Sequence, residues 1–219
     1  FGATRYETAT AVAARISDVA DIAGGRAAIV VRGDSFADAV IAGPATFGPA
    51  ATTGSLPILL VQRNRVPDTV ASAIRNLGIT RAYVIGGPAV VSDATKRQIE
   101  NLGVTVSRIA GPDRYGTATA LADFLTAPIA IGGFGWDPAT VGLVNISDAS
   151  GGFDAVSATG ILGPNRRVLL GTSAAQLPAP TTSWLRARNG ATKGITVVGG
   201  QSAIPPLVVD QARSAARGV

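Results

Sequence analysis

The 219-residue chain has no cysteine, no histidine and no methionine. The missing cysteine excludes disulfides, thiolate nucleophiles, Cys-ligated zinc and iron–sulfur clusters. The missing histidine excludes a Ser-His-Asp triad, a histidine general base and a histidine-rich metal site. Glutamate occurs only as Glu7 and Glu100, so paired-carboxylate chemistry would fall almost wholly to aspartate. A chain without methionine does not start at an initiator residue, which predicts a processed product or a part of something longer. Aromatic residues make up 5 % of the chain, leaving the core to Ala, Val, Ile and Leu. No apolar run reaches the roughly 18–20 residues that span a bilayer. Phe1-Gly2-Ala3-Thr4-Arg5 lacks the basic start and apolar run of a signal peptide, so a secreted form would already have lost its signal.

What is there is 47 % apolar and 15 % charged, enough to bury one large core or two small ones. The net charge is +5, and all but Lys96 and Lys193 of the 19 basic residues are arginine. Such a field favours anionic partners. No basic run exceeds Arg166-Arg167, so there is no stripe of the kind that tracks nucleic acid.

The chain repeats itself. Thr4-Arg5-Tyr6-Glu7-Thr8-Ala9 returns as Asp113-Arg114-Tyr115-Gly116-Thr117-Ala118, and Phe36-Ala37-Asp38-Ala39-Val40 as Phe153-Asp154-Ala155-Val156. Pro57-Ile58-Leu59-Leu60 has a weaker echo in Arg167-Val168-Leu169-Leu170, and Val84-Ile85-Gly86-Gly87 returns as Val197-Val198-Gly199-Gly200. The motifs keep their order while the spacing drifts, as in a duplication with loop insertions. Two units follow, residues 1–110 and 111–219, joined near Gly111-Pro112.

Within the first unit, apolar residues at helical spacing predict a helix from Arg5 to Ala20. Strands are expected at Ala27–Val31, Pro57–Val61, Arg81–Ile85 and Val104–Ile109, with helices at Phe36–Ile41, from Pro67 to near Gly78, and at Ala94–Leu102. The second unit repeats the plan: helices at Tyr115–Leu125, Phe153–Leu162, Thr181–Arg188 and Val208–Ala216, strands near Val141–Ile146, Val168–Leu170 and Ile195–Val198. Thr126 to Ala139 reads as an insertion. Strands alternating with helices give an α/β fold with mostly parallel sheets.

Several residues carry candidate chemistry. The turns at Gly86-Gly87 and Gly199-Gly200 can offer backbone N–H groups and a helix start to an anion, or can be glycine for tight turning alone. Neither is a nucleotide-binding loop. Asp34, Ser35 and Asp38, with Asp148, Ser150 and Asp154 in the second unit, follow a strand and precede a helix, where open α/β sheets hold ligands. They suit oxygen ligation of a divalent cation, or helix capping with Asp38 paired to an arginine. Arg5-Tyr6 and Arg114-Tyr115 open equivalent helices. Each pair can grip a sugar and an acidic group, or can join helix to sheet. Trp136 and Trp184 are either glycan platforms or packing. Arg32-Gly33-Asp34 and Asn145-Ile146-Ser147 spell adhesion and glycosylation motifs but sit on or beside strands, and neither is used further.

Arg5-Tyr6-Glu7-Thr8-Ala9, Asp34-Ser35-Phe36-Ala37-Asp38-Ala39, Pro57-Ile58-Leu59-Leu60 and Ile85-Gly86-Gly87-Pro88-Ala89-Val90-Val91-Ser92 together resemble the cell wall-binding repeat 2 family, and the likeness runs through essentially the whole chain. The resemblance implies toprim-like three-layer α/β units, usually three in tandem about a pseudo-threefold axis. It also implies a non-catalytic module that holds a secreted bacterial protein on the wall through anionic polymers. It maps polymer contact to Pro57, Ile58, Leu59 and Leu60. No cofactor and no metal is implied. With two repeats where three are usual, a third unit outside the chain or a homo-oligomer is expected. Two other readings stand beside this one: a self-assembling subunit of a surface layer or appendage, and a metal-dependent phosphoryl-transfer enzyme built on the aspartates.

Overall fold

Ala27-Ala28-Ile29-Val30-Val31 is buried without a break, the pattern of a central parallel strand covered on both faces. The computed structural model that shows this describes residues 2–147 and 149–219, with 149–153 as backbone only. The first half runs α1 (Arg5–Ala13), β1 (Arg26–Arg32), α2 (Phe36–Ile41), a 3-10 turn (Pro44–Phe47), β2 (Ile58–Val61), α3 (Asp68–Asn76), β3 (Ile79–Ile85), α4 (Asp93–Glu100) and β4 (Thr105–Ile109). The second runs α5 (Arg114–Thr126), a 3-10 turn (Ile129–Ile131), β5 (Thr140–Asn145), α6 (Ala149–Leu162), β6 (Leu169–Thr172), α7 (Ala179–Ala187), β7 (Gly194–Val198) and α8 (Pro206–Ala216).

All pairings within the two sheets are parallel, in the orders β2-β1-β3-β4 and β6-β5-β7. The second order repeats the first, as the duplicated motifs require, and β4 has no counterpart among the described residues. Strand register corrects one detail of the repeat. Ile29 pairs with Tyr83, three residues before Gly86, and Gly142 pairs with Thr196, three before Gly199. The Ile29 N–H donates to Pro57 O and the Gly142 N–H to Val168 O. Pro57-Ile58-Leu59-Leu60 therefore coincides with Val168-Leu169-Leu170-Gly171, one residue beyond the sequence echo. Both segments are unbroken apolar runs, so hydropathy cannot fix their register and hydrogen bonding does.

Helix α1 ends at Ala13, not Ala20. Val19 bridges Ser55 and the Ala20 N–H donates to Ser55 O, so these two apolar residues are buried as extended chain, not as helix. Their spacing imitates a continued helical stripe.

Side chains alternate across the first sheet. Ala28, Val30, Leu59, Val61, Ala82 and Val84 face α3 and α4 and form a core with Val70, Ile74 and Ile99. Ala27, Ile29, Val31, Tyr83, Ile85 and Ile109 face the other way, into a core shared with the second half. The segment between α5 and β5 seals that joint. Tyr83, Phe124 and Phe134 pack with centroids 4.8–5.6 Å apart, and Trp136 stands 6.4 Å from Phe134. The Trp136 indole N–H donates to Gly48 O at 2.8 Å and the Ala50 N–H to Phe134 O at 2.9 Å. No described helix is long and apolar enough to cross a membrane.

Candidate functional site

Thr4 and Glu7 form a reciprocal cap on α1, and Asp113 caps α5 through the Gly116 N–H at 2.7 Å. These caps fix where the Arg-Tyr pairs begin. Arg5 Nη1 donates to Gly33 O at 2.8 Å, and Arg114 Nη1 to Ile146 O and Ser147 O at 2.8 and 2.7 Å. Each arginine thus ties its helix to the carboxyl end of the first strand of its own half. Gly33 is bare because a Cβ there would lie 2.8 Å from the Tyr6 ring, 3.3 Å from Leu60 Cβ and 3.4 Å from Arg5 Cδ. The structure therefore gathers Arg5, Tyr6 and Leu60 around one glycine. In the second half Tyr115 lies over Gly171, which stands where Leu60 stands in the first.

Alternation along β2 divides the Pro57–Leu60 segment. Leu59 is fully buried in the first-half core and Pro57 is buried too, so only Ile58 and Leu60 of the segment are partly exposed, although Pro57, Ile58 and Leu60 all border the space beside α1. These three, with Ala9, Val12, Ile16 and Leu56, line an apolar groove of about 480 Å³. Val12 at its rim is 62 % exposed. The repeat makes this groove informative. Ala118, Leu121, Ala122 and Leu125 hold on α5 the places that Ala9, Val12, Ala13 and Ile16 hold on and just beyond α1, and all four are buried. Leu121 and Phe124 meet Ile29, Tyr83, Ile85 and Ile109 of the first half.

The two glycine turns share a second feature. Gly86 and Gly199 have φ of +114° and +130°. A Cβ on Gly86 would lie 2.7 Å from Asp38 Oδ2, and one on Gly199 2.8 Å from Asp154 Oδ2. A carboxylate lies against each turn, so an anion entering there meets a negative neighbour. Gly87 is half-buried and Gly200 is exposed.

The aspartates of the first half separate in role. Asp34 pairs with Arg32, whose guanidinium hydrogen bond holds the Asp34 carboxyl below its usual range. Ser35 stands at the start of α2 but makes no capping bond, so the expected cap is absent. Asp38 is 4 % exposed and, contrary to the expected arginine pairing, has no hydrogen bond or ion pair among the described residues. Burial pushes its pKa up to about 6, with Arg114 pulling it back. Among the described residues no three Asp or Glu gather where they could hold a metal. Asp148 and the side chain of Ser150 lie outside the described residues.

Both tryptophans are packing. Trp136 fills the joint, and Trp184 donates to Asp123 Oδ1 at 2.8 Å beneath the Arg188 guanidinium, 3.8 Å from its ring centre. Asn145, in the sequon-like triplet, is structural. Its Nδ2 donates to Ala203 O at 2.9 Å and its Oδ1 accepts from the Ser147 N–H. It links the loops after β5 and β7, a role that only the sheet order reveals.

Tandem parallel α/β units, with a front face on one packed into the back of the other, define a protein built from repeats. The chain belongs to the cell wall binding domain 2 (CWB2) family, whose sequence model matches residues 1–96 and 108–209. It is 29 % identical over 126 residues to the N-acetylmuramoyl-L-alanine amidase LytC of Bacillus subtilis (strain 168), a match over 58 % of this chain and 23 % of that protein. In fold it is similar to Cwp6 from Clostridium difficile, with a TM-score of 0.78, 23 % identity, and coverage of 98 % of this chain and 31 % of that one. Cwp8 from the same organism gives 0.71, 22 %, 99 % and 33 %. The chain thus spans between about a fifth and a third of the length of these relatives. Family membership sets it among cell wall binding modules of the bacterial surface.

Proposed function

We propose that the chain is a non-catalytic anchor that holds a secreted protein on the bacterial cell wall through anionic wall polymers. The carrying observation is that the family model recurs twice and covers nearly the whole chain, leaving little of it for another activity. A net charge of +5 adds a salt-sensitive attraction to phosphate or carboxylate groups. Two repeats, divided as residues 1–110 and 111–219, supply two weak contacts on one chain and hence avidity for a repeating polymer. The polymer lies along the exposed edge of β2, touching Ile58, Leu60 and Tyr6, with Arg5 beside them. The phosphoryl-transfer reading has little to stand on, since catalysis of that kind needs several carboxylates converging on one site.

A second reading, of the partner, rests on the unequal burial of α1 and α5. The residues that dock the second half onto the first are buried on α5, while their equivalents on α1 line an open groove. A further repeat, from a longer protein or from another copy, covers that groove as the first half covers α5.

Co-sedimentation with purified bacterial walls tests the anchor, before and after their anionic polymers are stripped, across a salt series. The expected outcome is sedimentation that stripping abolishes and salt weakens. A chain that stays in the supernatant with intact walls at low salt overturns the anchor and leaves self-assembly as the better reading.

A further inference from the structure

The first sheet switches direction between β1 and β3: β2 lies to one side of β1, and β3 and β4 lie to the other. In open parallel α/β sheets, ligands bind in the crevice outside the carboxyl ends of the strands at such a point. A cavity of about 200 Å³ occupies that place. Ser35 and Asp38, after β1, form one wall, and Gly87 and Ala89, after β3, form the opposite one. The roof comes from the second half, as the start of α5 with Asp113 and Arg114.

Two side chains in this cavity make no hydrogen bond among the described residues, although the Arg114 charge acts on Asp38. The Ser35 hydroxyl makes no cap and no other hydrogen bond. The Asp38 carboxylate, more than nine-tenths buried, makes none either. A buried carboxylate left unbonded costs folding free energy, and native structures rarely keep one without a use. The other charged groups are already committed. Asp113 Oδ1 accepts from the Gly116 N–H, Arg114 Nη1 donates to Ile146 O and Ser147 O, and Arg108 holds Gly86 O and Asp93.

This set selects a ligand. An anion is repelled by Asp38, and a metal ion would find only two carboxylates, Asp38 and the capping Asp113, with an arginine beside them. A neutral group bearing adjacent hydroxyls satisfies what is there, donating to both Asp38 oxygens while Ser35 Oγ and the Arg114 backbone N–H donate to it. We propose that this cavity is a binding site for one neutral, hydroxyl-rich unit, a sugar or polyol residue, formed only when the second repeat roofs the first. The inference deepens the wall-anchor reading and rests on it for the source of the sugar. The second half repeats the carboxylate–glycine pair as Asp154 and Gly199, without a following counterpart of α5 among the described elements.

The test uses the whole chain, labelled with ¹⁵N and titrated with glucose, N-acetylglucosamine, glycerol and ribitol separately. The site predicts saturable amide shifts at Ser35, Gly87, Ala89 and Gly111 with at least one of them. Asp38→Asn, which removes the charge and replaces one acceptor oxygen with an NH2 donor, should weaken that binding at least about tenfold, as expected for loss of a charged hydrogen-bond partner. Ala89→Phe, an exposed position at the mouth, should block binding while leaving Asp38 intact. No saturable shift with any of the four compounds, or shifts unchanged in both variants, overturns the site. Wall co-sedimentation of the same proteins separates the two ideas. If wild type and both variants sediment equally, the anchor stands and the site falls. If wild type does not sediment but the shifts appear and vanish in the variants, the site stands and the anchor falls.

Discussion

Asp38 is buried with no hydrogen-bond partner among the described residues, and its charge has an energetic consequence. In the folded chain its pKa is about 6, above the ordinary 3.8. Between those values the folded chain keeps a proton that the unfolded chain has released, so stability falls as pH rises through that window and the penalty is complete above it. Asp38→Asn removes the penalty, and urea unfolding should find the variant more stable at pH 7.5 by on the order of 2 kcal/mol. The gain should vanish near pH 4. Equal stability at both pH values would mean that the carboxylate is not desolvated. The residue thus exchanges stability for a charge in a crevice, the trade often made at binding sites. Gly86 and Gly200 give a second contrast at this scale. Gly86→Ala forces a Cβ at φ +114° to within 2.7 Å of Asp38 Oδ2, and should cost at least about 2 kcal/mol. Gly200→Ala meets nothing within 4 Å and should be nearly neutral. Equal thermal shifts for the two would remove the close approach as the reason for glycine.

At the scale of elements, legibility in the sequence depends on whether the deciding neighbour is near along the chain. α2 runs from Phe36 to Ile41 as its local pattern indicates, because Gly43 and Pro44 stop it from within the same segment. α1 is shorter than its spacing predicts because Val19 and Ala20 owe their burial to Ser55 and Ala27, a bridge that helical spacing cannot reveal. The segment after α5 is legible as an insertion but not as a plug, since its partners Tyr83 and Gly48 belong to the other half. Asp38 is legible as a candidate, but its isolation is not, because the roof over it comes from α5. Trp136 tests the plug. Trp136→Ala should lower unfolding stability by about 3–5 kcal/mol, as for deletion of a buried large aromatic. Trp136→Phe keeps a ring, loses the bond to Gly48 O, and should cost about 1–2 kcal/mol. A neutral Trp136→Ala would mean that the joint is held elsewhere.

Across the whole molecule, the two halves meet head to tail, the helix face of one against the sheet of the other. The α5 contact has no counterpart on α1, so it leaves one free front and one free back, although the equivalent helices α2 and α6 pack side by side across the joint. The free front is the groove beside Val12. Sedimentation velocity at rising concentration should show self-association of the wild-type chain, and Val12→Asp should abolish it without changing the unfolding midpoint. Leu121→Asp, the same kind of substitution at the equivalent buried position, should instead destabilise the fold. A wild type that stays monomeric at high micromolar concentration would leave the groove to a repeat on the same polypeptide.

The two cores also differ in when they can close. The one beneath α3 and α4 draws only on residues between Tyr6 and Val106, whereas the other needs both halves at once. As the chain emerges N-terminus first, the first half therefore has all the residues of its own core before the second half appears. Its uncovered sheet face, with Ile29, Tyr83 and Ile85, then serves as the template on which α5 and the aromatic plug settle. Repeats joined this way assemble in the order in which they are made.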